Sequence, residues 1–286
     1  MKKTIALASI LIFSGFTNYP VKQAYKIFNG KGKASSYKSL LKEAGKADVV
    51  LFGELHNNPI CHWLQLELTK DLYEEKKNDL KLGAEMFERD DQLLLDEYLN
   101  GLVPLKNFER EAKLWNNYKT DYAPLVNFAK EHQLPFIATN IPRRYANLVY
   151  RKGFESLEDL PEESRKYIAP LPIAYDPELK GYKSMLEMAG GHGGENLPKA
   201  QAIKDATMAW SIHANCERGK SIIHYHGTYH SNNFEGIVWY LKKLEPKLKI
   251  LTIASVEQDL IEDLNEKNKN LADFVLAVPK SMTKTY

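Results

Sequence analysis

Cysteine is scarce in this chain: Cys61 and Cys216 are the two among 286 residues. So few, so far apart, exclude a disulfide-stapled scaffold. One long-range bond and a pair of buried thiols are both open, and the thiols are the simpler expectation because spacing alone establishes no geometry. A charge excess is also missing. Lys plus Arg is 39 and Asp plus Glu is 37, a formal net charge of +2, too little to imply a nucleic-acid partner or a strongly anionic membrane surface. Past residue 20 no apolar run is long enough to span a bilayer. The sequence has no internal repeat, low-complexity tract or clean linker. It also lacks the G-x-S-x-G nucleophile elbow and the H-E-x-x-H zinc motif, so neither a serine hydrolase nor a thermolysin-like protease has its motif here. What remains, 44% hydrophobic and 27% charged, is the composition of an ordinary globular protein.

What is present begins with a leader. Met1 to Ser14 reads MKKTIALASILIFS, two lysines and then an uncharged apolar run, followed by small or neutral residues; this is the layout of a secretory signal peptide. The expected leader is 1–18, with cleavage near Gly15 to Tyr19. Losing Lys2 and Lys3 leaves 37 basic against 37 acidic residues, so the exported chain is expected to be neutral. No cysteine follows the apolar run, so a lipid anchor is not expected. The expected location is the periplasm or cell envelope.

From Tyr37 onward the pattern alternates. Tyr37 to Ala44 reads as a helix stopped by Gly45. Asp48 to Gly53 (DVVLFG) is an apolar run of strand length, and Asn58-Pro59 offers an N-cap followed by proline at the first helical position. Ile60, Leu64, Leu68 and Leu72 then recur every fourth residue, as on an amphipathic helix. Further strand-like runs cover 80–87, 135–141, 221–226, 248–256 and 273–278, with helices expected over 122–133, 199–218 and 233–244. This alternation predicts an α/β fold, a mostly parallel central sheet with helices on both faces, in a single domain over 37–280. One stretch, about 155–198, breaks the rhythm. It is rich in Pro, Tyr, Met and Gly and too long for an ordinary loop, and it is expected to be a mainly helical insertion over the sheet edge.

Open parallel sheets hold ligands at the carboxyl ends of their strands. The first run ends in Glu54 and His56, and the second delivers Glu85. The third ends at Asn140 with Arg143 and Arg144 just beyond, and the fourth ends in His224, His226 and His230. His224 and His226, two apart on a strand, face the same side. Imidazoles and carboxylates so placed suit a divalent metal or general acid–base work. A buried histidine is equally at home as a satisfied core residue. Convergence of several such groups favours a functional pocket, and the candidate metal ligands are Glu54, His56, Glu85, His226 and His230. For Arg143, Arg144, Lys242 and Lys243 the simplest reading is solvated or paired surface charge.

GELH at Gly53 to His56 and GTYH at Gly227 to His230 are two Gly-x-x-His motifs, each after a strand, with Glu85 following the strand between them. With NIPRR at Asn140 to Arg144, QAIKDATMAW at Gln201 to Trp210 and ADFVLAV at Ala272 to Val278, the sequence resembles the ChaN-like haem-binding uptake family of the Tiki superfamily. More distantly it is similar to the erythromycin-esterase-like hydrolases. The resemblance runs from about Tyr37 to Val278. It implies an α/β fold around a parallel sheet, an exported location, and haem or iron handling. For Tiki-type relatives it implies metal-dependent peptidase chemistry, with His56, Glu85 and His230 as the catalytic set and Zn, Mn or Fe as the metal. Many ChaN-like proteins are lipoproteins, and this leader lacks the cysteine that requires.

Haem iron needs an axial ligand, and the macrocycle needs an apolar slot with polar partners for its propionates. The insertion offers Tyr175, Tyr182, Met185 and His192. Tyr182, Met185 and Ala189 share one face if that stretch is helical, and the same stripe would serve core or dimer packing. Tyrosine suits ferric haem outside the cytoplasm, so Tyr175 and Tyr182 are the preferred ligands. Two copies meeting through the insertion, a homodimer, would be able to sandwich haem. Haem or iron binding for uptake is the leading expectation, a metal-dependent hydrolase the second, and a non-catalytic small-ligand binder the third.

Overall fold

Short runs of Val, Ile, Leu and Phe become parallel strands because a strand covered on both faces has no solvent side on which to place polar residues. The computed structural model describes residues 22–188, 190 and 194–286; the expected leader and His192 lie outside the described residues. The strands are β1 (Lys26–Asn29), β2 (Val49–Glu54), β3 (Leu80–Glu88), β4 (Phe136–Asn140), β5 (Ser221–Gly227), β6 (Ile250–Gln258) and β7 (Phe274–Pro279). They form one sheet in the order β1-β7-β6-β2-β5-β3-β4. Every pairing is parallel except that of β1 with β7. The fold is α/β as expected, and the six parallel strands fall within two residues of the runs that predicted them. β1 is an addition, since its four residues lie before Tyr37, where the predicted elements begin.

The sheet is covered on both sides, and alternation along β2 shows it. Val50 and Phe52 enter one core with Leu64, Leu68 and Leu72 of the Pro59–Lys76 helix. Val49 and Leu51 enter a second core with Met208, Ala209 and Ile212 of the Asn196–Ala214 helix. Each of these side chains larger than alanine contributes about 1.5–3 kcal/mol by leaving water. The Pro59–Lys76 helix starts as its sequence predicts: the Asn58 side chain accepts from the Ile60 amide at 3.1 Å, with Pro59 at the first position. Its inward face is more polar than expected. His62, Gln65 and Thr69 are buried beside the leucines, while Ile60 is only half-buried. Both cysteines are free thiols, Cys61 buried and Cys216 half-buried.

Residues of the expected insertion form a short turn at Phe154–Leu157, a single helical turn at Glu162–Arg165 and a helix at Lys180–Met188. That last helix packs on the Asn196–Ala214 helix. Its first amides, Lys180 and Gly181, donate to the Glu235 carboxylate at 3.0 and 2.8 Å, so a distant acid caps it and complements its dipole. Among the described residues no helix is long and apolar enough to cross a membrane.

Candidate functional site

β2 and β5 are neighbours in the middle of the sheet, in a register that sets Gly53 against His226 and Glu54 against Gly227. The two Gly-x-x-His motifs therefore leave the sheet side by side, and each glycine makes room for the other motif. A methyl group on Gly53 would stand 2.8 Å from Thr228 Cα and 2.9 Å from the Ile253 carbonyl oxygen. One on Gly227 would stand 2.8 Å from both Cε1 and Nε2 of His56. Gly227 has φ −58°, open to any residue, so close approach rather than backbone freedom requires glycine there.

His56 is aimed by Glu54. The buried Glu54 carboxylate accepts from the Tyr122 hydroxyl at 2.6 Å, from the Gln65 amide at 2.6 Å and from His56 Nδ1 at 2.9 Å. Burial pushes Glu54 up, but the hydrogen bond from His56 and the charges of His62 and His56 outweigh it and hold the group below the usual carboxylate range. An ionised Glu54 only accepts, so His56 Nδ1 carries the proton and Nε2 faces the space above Gly227. The His56 backbone carbonyl is pinned as well, by Asn117 at 2.8 Å and His62 at 3.0 Å. Trp115 packs edge-on against the imidazole at 4.9 Å between centroids. Burial would lower this imidazole, but the Glu54 hydrogen bond and the charges of Glu85 and Glu54 push it up; with 38% of its side chain exposed, the ring can take up and release a proton on its open side.

A second chain of bonds runs deeper. Glu85 accepts from the Gly227 amide at 2.7 Å and lies 3.2 Å from His230 Nε2; His230 Nδ1 lies 2.5 Å from Asp205. Asp205 also accepts from the Tyr182 hydroxyl at 2.9 Å. Burial would lower His230, yet the charges of Glu85 and Asp205 push it up to about 10. The same charge, against the burial that raises it, holds Glu85 well below the usual range. His230 is thus an imidazolium clamped between two carboxylates. Asp205 and Gln65 escape a reading from sequence because each acts across elements; the one available signal is a pair of polar residues, Gln201 and Asp205, four apart on a helix with a buried face.

The other two strand-end histidines, His224 and His226, are committed elsewhere. His224 Nε2 meets the Thr139 hydroxyl at 2.7 Å, the two Nδ1 atoms of His224 and His226 lie 3.1 Å apart, and His226 Nε2 meets Ser231 at 2.9 Å. Burial, with the His230 charge behind it, pushes His226 down to about 3. Glu54, His56, Glu85 and His230 do gather around Gly227, whereas His226 turns toward Ser231 and His224. Among the described residues no three His, Cys, Asp or Glu side chains are arranged to hold a metal ion. The expectation of a metal centre draws no support from this geometry, because both nitrogens of His230 already face carboxylates.

Beside His56 lies a crevice of about 600 Å³ whose walls include Glu88, Lys113, Leu114, Trp115, Arg143 and Arg144. Glu88 ends β3 and the arginines follow β4, so the crevice stands at the carboxyl edge of the sheet, where such folds bind ligands.

A family model described as haem-binding uptake, Tiki superfamily, ChaN, matches residues 40–241. The chain belongs to this family. Among solved structures, the one described as cofacial haem binding to ChaN of Campylobacter jejuni superposes with a TM-score of 0.65 at 19% identity, covering 88% of this chain and 96% of that one. A succinoglycan biosynthesis protein gives 0.51 at 13% identity, covering 90% and 94%. A Bacillus cereus protein gives 0.50 at 13%, covering 90% and 95%. At these identities the likeness is one of fold. No curated protein matches in sequence.

For a ChaN-family chain the donors in the insertion fit haem to different degrees. Tyr182 is buried with its hydroxyl committed to Asp205. Tyr175 is half-buried, and its ring rests 5.6 Å from both Phe154 and Tyr182. Met185 is half-buried and Met188 is 67% exposed. A tyrosine hydroxyl has the donor chemistry that ferric haem requires; of the two tyrosines, Tyr182 is committed to Asp205, while Tyr175 rests against aromatic rings.

Proposed function

We propose that this ChaN-family chain is an exported haem-binding protein serving haem or iron uptake. The observation that carries this reading is a tyrosine, Tyr175, not engaged as Tyr182 is, set in a methionine-bearing segment of a haem-family fold. Haem, when bound, would supply an iron centre. Tyr175 would hold it through its hydroxyl, with Phe154 and Tyr182 orienting the Tyr175 ring and Met185 and Met188 giving apolar cover. Asp205 and His230 hold Tyr182, and so the Lys180–Met188 helix, in place. The leader at 1–18 supports export, and closure of two copies over the exposed Met188 side belongs to the same reading.

Titration of the mature chain with haemin tests it. A Soret band distinct from that of free haemin is expected, weakened in Tyr175→Phe and more nearly retained in Tyr182→Phe, and sedimentation of the loaded protein reads the pairing. An unaltered free-haemin spectrum overturns the proposal.

A further inference from the structure

The crevice beside His56 carries a charge arrangement that the fold alone does not favour. The Arg143–Lys152 helix has arginine at its first two positions, no acid in its first turn and no side-chain cap. Cations belong at the other end of a helix, where this one does place Arg151 and Lys152, because the amino end already carries partial positive charge. Arg144 is accommodated by Asp90 at 2.6 Å, and Lys113 by Asp90 and Glu88 at 2.7 and 3.1 Å. Arg143 is exposed and has no carboxylate partner among the described residues. One guanidinium therefore faces the crevice uncompensated, beside a helix end that adds to its field. Across from it stands Trp115, held at right angles to both His56 and Tyr122 with centroids at 4.9 and 5.6 Å, with Leu114 adjoining. Local rules are broken where function gains from it.

We infer that this crevice is a binding site for a planar aromatic carboxylate, with Arg143 as the anion anchor and Trp115 as the wall for the ring. The fork of a guanidinium matches a carboxylate in two parallel hydrogen bonds, and one uncompensated cation matches a single negative charge better than a phosphate dianion. The volume of about 600 Å³ is in the range of sites for drug-sized ligands. This site is separate from Tyr175 and needs no iron.

Calorimetric titration of the full chain tests it, with 1-naphthoate for a small arene acid and metal-free protoporphyrin IX for a tetrapyrrole acid. Binding of either acid supports the site where the Arg143 variants weaken it, and the pair tells the two sources apart. Protoporphyrin IX dimethyl ester and Arg143→Glu are each expected to weaken that binding by roughly tenfold or more, with Arg143→Lys intermediate. Arg143→Gln serves in place of the charge reversal if the latter lowers the melting temperature. The inference is overturned if neither acid binds, or if the ester and the Arg143 variants bind as the parents do. Displacement of the acid by equimolar inorganic phosphate overturns the carboxylate assignment.

Discussion

At the scale of single residues the unusual group is His230, a buried cation whose stability depends on two acids. Its value rises from 6.5 to about 10 in the folded chain. A group raised on folding stabilises fully below its unfolded value, and that contribution is lost as pH climbs through the folded one. The unfolding free energy is therefore expected to fall between about pH 7 and pH 10, and the fall to be smaller in His230→Gln, as read by urea denaturation at both pH values. Asp205→Asn removes one of the two groups that raise His230, so the decline should start at the same pH but end at a lower one and be smaller. Breaking a buried pair of this kind costs about 3–5 kcal/mol. An imidazole NMR titration that places His230 near 6.5 would refute the imidazolium. His56 differs by design of its surroundings: a single carboxylate behind it and a half-open ring leave one nitrogen for a ligand or proton.

At the scale of elements, the strand ends hold the site because two glycines let two motifs interlock. Alanine at Gly53 meets backbone atoms of Thr228 and Ile253, which cannot swing aside, whereas alanine at Gly227 meets the tip of the His56 ring. Overpacking costs about 1–3 kcal/mol, so Gly53→Ala is expected at or above the upper end and Gly227→Ala near the lower. Only Gly227→Ala should also shift the His56 imidazole resonances, because the ring must leave Glu54; the opposite order of stabilities in chemical denaturation would contradict this packing. Why the motifs were legible from sequence follows from the same elements. Buried parallel strands must be apolar along their length, so VVLFG and SIIHYH declare themselves, and the polar residues at their ends stand out. β1 did not declare itself because KIFN offers only Ile27 and Phe28, and its partner Phe274–Pro279 lies at the far end of the chain. Tyr122, Trp115, Gln65 and Asp205 were illegible for a related reason: each is an ordinary helix or loop residue until the tertiary fold brings it to Glu54, His56 or His230. The charge of Arg143 was visible, but its exposure on a crevice was not, since pairing of Arg144 with Asp90 is a contact across elements.

At the scale of the whole molecule the sheet sets its antiparallel edge apart from the candidate site. Glu54, Glu85 and the Gly227 to His230 turn sit on or beside β2, β3 and β5, in the central and β4-side part of the order, while β1 is the opposite edge, two strands removed from β2. That edge has its own small core, in which Phe28 packs with Val256, Ile261, Leu264, Val275 and Ala277. Phe28 is 1% exposed, and truncating such a ring leaves a cavity that costs about 3–5 kcal/mol. None of these partners touches the crevice, and the parallel strands between transmit little displacement because they are hydrogen-bonded and packed on both faces. Phe28→Ala is accordingly expected to lower the denaturation midpoint strongly, while haemin and 1-naphthoate bind the still-folded protein at 15 °C with affinities within about twofold of the parent. The reverse pattern, a lost affinity at unchanged midpoint, would mean that the antiparallel edge is part of the binding apparatus, and the division of labour along the sheet would have to be abandoned.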